Sequence, residues 1–142
     1  MGSEMCIRDR IRETVIRLCE AFDCIYVLLF SSRARGDVKD YSDVDIAVKF
    51  SDAENSIDKA LDLMSAIEEE LGVSVDVVPL NVADTIIKYE AYSQGILLFS
   101  KDYEMYIDDY VNAIDEYLDF EPIFNRFYQE TLKEIRDAAS RS

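Results

Sequence analysis

A chain of 142 residues, 49% of them hydrophobic, can fill one core and is too short for two ordinary domains. Its 30 acidic against 15 basic residues, a formal charge of -15, argue against a face that wraps a nucleic-acid backbone and suit either a basic protein partner or a plainly solvated surface. The absence of histidine excludes Ser-His-Asp and Cys-His catalysis, His-ligated zinc and an imidazole general base, so any chemistry must run on carboxylates, hydroxyls, amines and a hard metal.

Ile7, Ile11, Val15, Leu18 and Phe22 recur at spacings of three or four and predict an amphipathic helix that ends near Asp23. Cys6, Cys19 and Cys24 form no Cys-x-x-Cys pair and are read as packing residues of a reducing compartment. "CIYVLLF", residues 24–30, is a continuous apolar run of strand length, as expected of a strand covered on both faces. A loop over 31–42 follows, and "DVDIAVKF", residues 43–50, then alternates so that Asp43, Asp45 and Ala47 share one side of a strand and Val44, Ile46 and Val48 the other.

Ile57, Leu61, Met64, Ile67 and Leu71 mark a second helix after the caps of "SDAEN", closed by Gly72 as a left-handed C-cap. "VSVDVVPL", residues 73–80, is a third strand with a lone acid, Asp76, among its valines. Asn81 is expected to cap a short helix through Ile86, Ile87 and Tyr89, and Gly95 breaks it before the strand-like "ILLFS". Ile107, Tyr110, Ile114 and Leu118 continue with helical period as far as Glu121-Pro122, where proline should end the helix, and Phe124, Tyr128, Leu132 and Ile135 begin another. The tail "DAASRS" is expected to fray, and the tyrosines of "YEMYIDDYVNAIDEYLDF" are expected in the core, with Asp108, Asp109, Asp115, Glu116 and Asp119 on the solvated side. No run reaches the roughly eighteen apolar residues of a membrane span and no leader is recognisable, so a cytoplasmic protein without membrane contact is expected.

Unit charges about 6 Å apart repel by about 3 kcal/mol at an effective dielectric of about 20, so paired aspartates on one strand face need an offset. A divalent hard cation provides one, because Mg²⁺ takes one or two carboxylates and keeps positions open for water and phosphates. Asp43, Asp45 and Asp76 on neighbouring strands form such a candidate metal site. Taken alone, the pair reads equally as a turn residue and a solvent-facing strand residue. The loop "SSRARG" supplies small residues, hydroxyls and backbone N–H groups where a phosphate can sit, with positive charge from Arg33 and Arg35.

The segment "FSSRARGDVKDYSDVDIAV", residues 30–48, resembles the signature of the minimal nucleotidyltransferases of the DNA polymerase beta superfamily, in which Gly-Ser is followed at this distance by Asp-x-Asp. Ser32, Asp43 and Asp45 match by type and spacing, Asp76 falls where a third acid is expected, and "AYSQGILLFSKD" resembles the segment that follows the family's sheet. One residue departs: Ser31 stands where the family has glycine. The resemblance implies an α/β (α+β) nucleotidyltransferase fold, a small mixed sheet flanked by helices with a C-terminal helical segment. The whole chain, 1–142, would be one such domain, with a core of about 20–100 and C-terminal helices over about 102–138.

Chains of this size within the superfamily resemble the antitoxin half of two-gene systems whose toxin is a helical HEPN ribonuclease. The resemblance then implies transfer of AMP from ATP to a toxin tyrosine. Asp43, Asp45 and Asp76 would be catalytic and would hold Mg²⁺, Asp76 also helping to deprotonate the attacking hydroxyl. Ser31, Ser32, Arg33 and Arg35 would bind the triphosphate. The partners implied are ATP and a HEPN-type toxin with a basic face, without direct nucleic-acid contact, and self-association is left open. The alternatives are an antitoxin that neutralises by contact alone and a small-molecule, aminoglycoside-type nucleotidyltransferase.

Overall fold

The computed structural model describes residues 7–31 and 44–141. In chain order the elements are α1 (Ile7–Cys19), β1 (Cys24–Ser31), β2 (Val44–Phe50), α2 (Ser56–Leu71), β3 (Asp76–Pro79), α3 (Thr85–Gln94), β4 (Ile96–Ser100) and α4 (Tyr103–Ser140). The strands form one sheet in the order β3-β2-β1-β4, with β1 antiparallel to both β2 and β4, and β2 parallel to β3. The parallel pair requires a crossover between its strands, and α2 supplies it.

Alternation along the central strands sorts the chain into three layers, since successive side chains leave opposite faces. Val27, Leu29, Ile46, Val48 and Phe50 pack on one face against Ile11 and Val15 of α1 and Ala60, Leu63 and Ile67 of α2. Tyr26, Leu28, Phe30 and Ala47 pack on the other against Ala91 and Tyr92 of α3 and Tyr106 and Ala113 of α4. β1 is covered on both sides, as its unbroken apolar run requires. Cys19 and Cys24 are free and buried in the first of these cores, as packing residues.

Three elements differ from the sequence expectation. The buried side of α2 is Ser56, Ala60, Leu63 and Ile67, while Ile57 and Leu61 are exposed. Asn81 caps no helix: its amide accepts from Phe50 N–H at 2.8 Å and donates to Phe50 C=O at 2.9 Å, tying off the end of β2, and Asp84 caps α3 by accepting from Ile87 N–H at 2.8 Å. Pro122 does not end the last helix, which runs unbroken from Tyr103 to Ser140 and so includes most of the tail expected to fray. Proline there deprives one preceding carbonyl of its donor and crowds it, which costs least where water reaches the backbone, and the stretch 122–130 is exposed throughout. Among the described residues no helix is long and apolar enough to cross a membrane.

Candidate active site

β2 carries Asp45, Ala47 and Lys49 on the face toward α3 and α4, because Ala47 belongs to that core and its neighbours two residues away share its side. The parallel register sets Asp45 opposite Asp76, Ala47 opposite Val78 and Val48 opposite Pro79. Val78 packs against the same core as Ala47, so Asp76 faces the same way as Asp45. Two carboxylate residues are therefore in direct register on adjacent strands, whose backbones lie about 4.8 Å apart. Asp45 is only 1% exposed, beside the buried Phe30 that pairs with it across β1. Both aspartates have polar or electrostatic partners within the fold.

The sheet brings a third feature to the same end. β1 closes at Ser31, paired with Val44, so the connection between β1 and β2 leaves the sheet one residue from Asp45. Ser31 is a strand residue, and among the described residues the only non-glycine with positive φ is Asp23 (φ 55°). The backbone conformation that only glycine tolerates well is thus not what this position demands. Ser32, Arg33, Arg35 and Asp43, the other expected site residues, lie outside the described residues. Among the described residues there is no group of three His, Cys, Asp or Glu that could hold a metal. The donor chemistry of the two that are placed fits a hard cation: both are carboxylates, one is almost fully removed from water, and their like charges share one side of a sheet.

Further along the same face lies a polar network that sequence reasoning did not find. The Tyr26 hydroxyl donates to Asp109 Oδ2 at 2.7 Å and stands 2.5 Å from the Tyr92 hydroxyl, while Lys49 Nζ lies 3.3 Å from the same Asp109 oxygen. With its proton directed at Asp109, Tyr26 accepts from Tyr92. The four residues belong to β1, β2, α3 and α4, so the network fastens both helices to the sheet behind the aspartate pair. Burial pushes the Tyr26 and Tyr92 phenols well above their ordinary range, and the Asp109 carboxylate beside them adds to the shift. Asp109 is accordingly not on the solvated side. Glu116 is solvent-exposed as expected, and there it accepts from Lys88 Nζ at 2.7 Å and Thr85 Oγ1 at 2.8 Å, an arrangement that holds its carboxyl below the usual range. Polar residues inside an apolar strand were the available signal, since Lys49 shares the side of β2 that carries Asp45.

Residues 13–104 match the family model of the polymerase beta nucleotidyltransferases. Among curated proteins no match was found. Several solved structures share the fold. A chain in the structure of the tri-AMPylated Shewanella oneidensis HEPN toxin in complex with its MNT antitoxin superposes with a TM-score of 0.72 at 22% identity, over 89% of this chain and 99% of that one. A toxin–antitoxin structure with AMP-PNP gives 0.70 at 23% identity, over 85% of this chain and 98% of that one. A structure described as a minimal nucleotidyltransferase gives 0.51 at 32% identity, over 67% of this chain and 98% of that one.

Proposed function

Because this chain belongs to the polymerase beta nucleotidyltransferase family, we propose that it is an Mg²⁺-dependent adenylyltransferase that moves AMP from ATP to a tyrosine of a HEPN-type ribonuclease and so neutralises it. The observation that carries this reading is the register of Asp45 with Asp76 at the end of the sheet where the β1–β2 connection leaves. The likeness in fold to chains from toxin–antitoxin complexes, one of them of an AMPylated HEPN toxin with its MNT antitoxin and another with AMP-PNP, supports the choice of acceptor. A formal charge of -15 favours an acceptor with a basic face in a cytoplasmic setting.

Asp43, Asp45 and Asp76 are the residues that would hold the metal, which when bound supplies charge neutralisation along the phosphates. Ser31, Ser32, Arg33 and Arg35 would take the triphosphate, through their hydroxyl and guanidinium donors. Asp76 accepts the proton of the attacking tyrosine hydroxyl at its carboxylate. The tyrosine oxygen bonds to the α-phosphorus of ATP, the bond from that phosphorus to the bridging oxygen breaks, and pyrophosphate leaves. Such a transfer draws on positioning and charge, which suits a chain without histidine.

The test is intact-mass spectrometry of a HEPN-type ribonuclease incubated with the chain, ATP and Mg²⁺. One or more AMP additions on tyrosine are expected, abolished by EDTA and by Asp45→Asn, with a loss of at least about a thousandfold in rate. Neutralisation of the ribonuclease without any gain in mass would replace this reading by inhibition through contact alone.

A further inference from the structure

α4 leaves the body of the protein well before it ends. Near its middle it meets α3 through the Lys88–Glu116 pair and the stacked rings of Tyr89 and Tyr117, 3.8 Å apart at 13°. Beyond Pro122 it continues for 18 more residues, about 27 Å. This outer segment is not a polar strut. Ile123 (67%), Phe127 (68%), Ile135 (59%), Tyr128 (51%) and Phe124 (41%) are exposed, and Phe120, Phe124 and Tyr128 stack mainly on one another along the helix, with centroids 5.5 and 6.4 Å apart.

At 100° per residue the five exposed side chains fall within an arc of about 140°. That is wider than the narrow seam by which one helix pairs with another, and it matches a helix laid into a groove between two others. Of the charges beyond Pro122, three acids lie in or near this arc, Glu134 inside it and Glu130 and Asp137 within about 40° of its edge, against one base, Arg141, at the edge; Arg126, Lys133 and Arg136 lie about 60° or more beyond it. A second copy of the chain would bring like acids, and a second charge of -15, against the first.

We propose that the outer half of α4, centred on Phe124 and Phe127, is a docking helix for a helical protein that offers an apolar groove between two of its helices, rimmed by lysine or arginine. The assignment of that occupant to the AMP-accepting ribonuclease rests on the function proposed above. Docking at the outer helix leaves the aspartate end of the sheet free to act, and large aromatic anchors carry most of the energy of such interfaces.

The experiment compares the full chain with its Phe124→Gln/Phe127→Gln variant, a change that keeps helix propensity while removing both anchors. Calorimetry with the HEPN-type ribonuclease should show affinity lower by at least about a hundredfold in the variant. Mn²⁺-ATP binding and far-ultraviolet circular dichroism should be unchanged, and both chains should sediment as monomers. Affinity within about threefold of wild type overturns the docking site and leaves the transferase reading intact. A wild-type dimer that the variant breaks assigns the face to a second copy instead, and variant-sensitive binding to phosphatidylcholine–phosphatidylglycerol vesicles assigns it to a lipid surface. No binding of the ribonuclease by the wild-type chain overturns the acceptor itself, together with the occupant named here.

Discussion

Ser31 stands where the sequence resemblance expects glycine, and its place at the end of β1 limits the consequence. A serine in extended backbone carries no left-handed strain, so under the proposed function the only difference from glycine would be the bulk of one hydroxymethyl group. Ser31→Gly is expected to raise the rate of AMP transfer by about three- to thirtyfold, equivalent to about 0.7 to 2 kcal/mol in the transition state. Steady-state rates with Mn²⁺-ATP measure it, and equal rates would show that the side chain does not crowd the nucleotide. A second single-residue consequence concerns Tyr26 and Tyr92. Their phenols are raised in the folded state above the ordinary 10.0, so the stability they contribute is fully present below about pH 10 and is lost as pH climbs past it. Each should steepen the alkaline loss by up to about 1.4 kcal/mol per pH unit. Melting curves between pH 9 and 11 should therefore fall more steeply for wild type than for Tyr26→Phe/Tyr92→Phe, and parallel curves would refute the assignment.

Elements were legible wherever alternation or an apolar run decided them. β1, β2 and β4 appear where the pattern places them, and Gly72 caps α2 with φ 69° as its position suggests. The face of α2 was harder to read, because two stripes overlap. Hydropathy favours Ile57 and Leu61, but the helix is turned by about 60° toward Ser56 and Ala60, whose small side chains admit close packing on the sheet. Ser56 can be buried because its hydroxyl donates to Ala53 C=O at 2.9 Å. Asp45 and Asp76 were readable as acids inside apolar strands, whereas the Tyr26–Asp109 contact spans 83 residues and only Lys49, a charge inside β2, pointed toward it. The junction of α3 and β4 gives the test at this scale. A Cβ on Gly95 would lie 2.2 Å from the Ala91 carbonyl oxygen, where backbone meets backbone and neither can step aside. Gly95→Ala should unwind the last turn of α3 and lower the free energy of unfolding by about 2 kcal/mol or more, read from urea denaturation; an unchanged midpoint would contradict this packing.

Across the whole molecule, the two cores sit on opposite faces of one sheet, and β1 belongs to both. Its partners arrive at very different times during synthesis. β2 pairs with it through a register that joins Phe30 to Asp45 and Ser31 to Val44, so that ladder forms soon after the strand itself. The β4 ladder joins Leu29 to Ile96 and Tyr26 to Ser100, separations of 67 and 74 residues. At about 5–20 residues per second a ribosome takes roughly 3–15 s to make that stretch. For that interval one edge of β1, the strand richest in apolar side chains, has no native neighbour and can pair with another nascent chain. Production of this protein should therefore be governed by how quickly residues 96–100 follow residues 24–31, and slow codons between them would favour aggregation over folding.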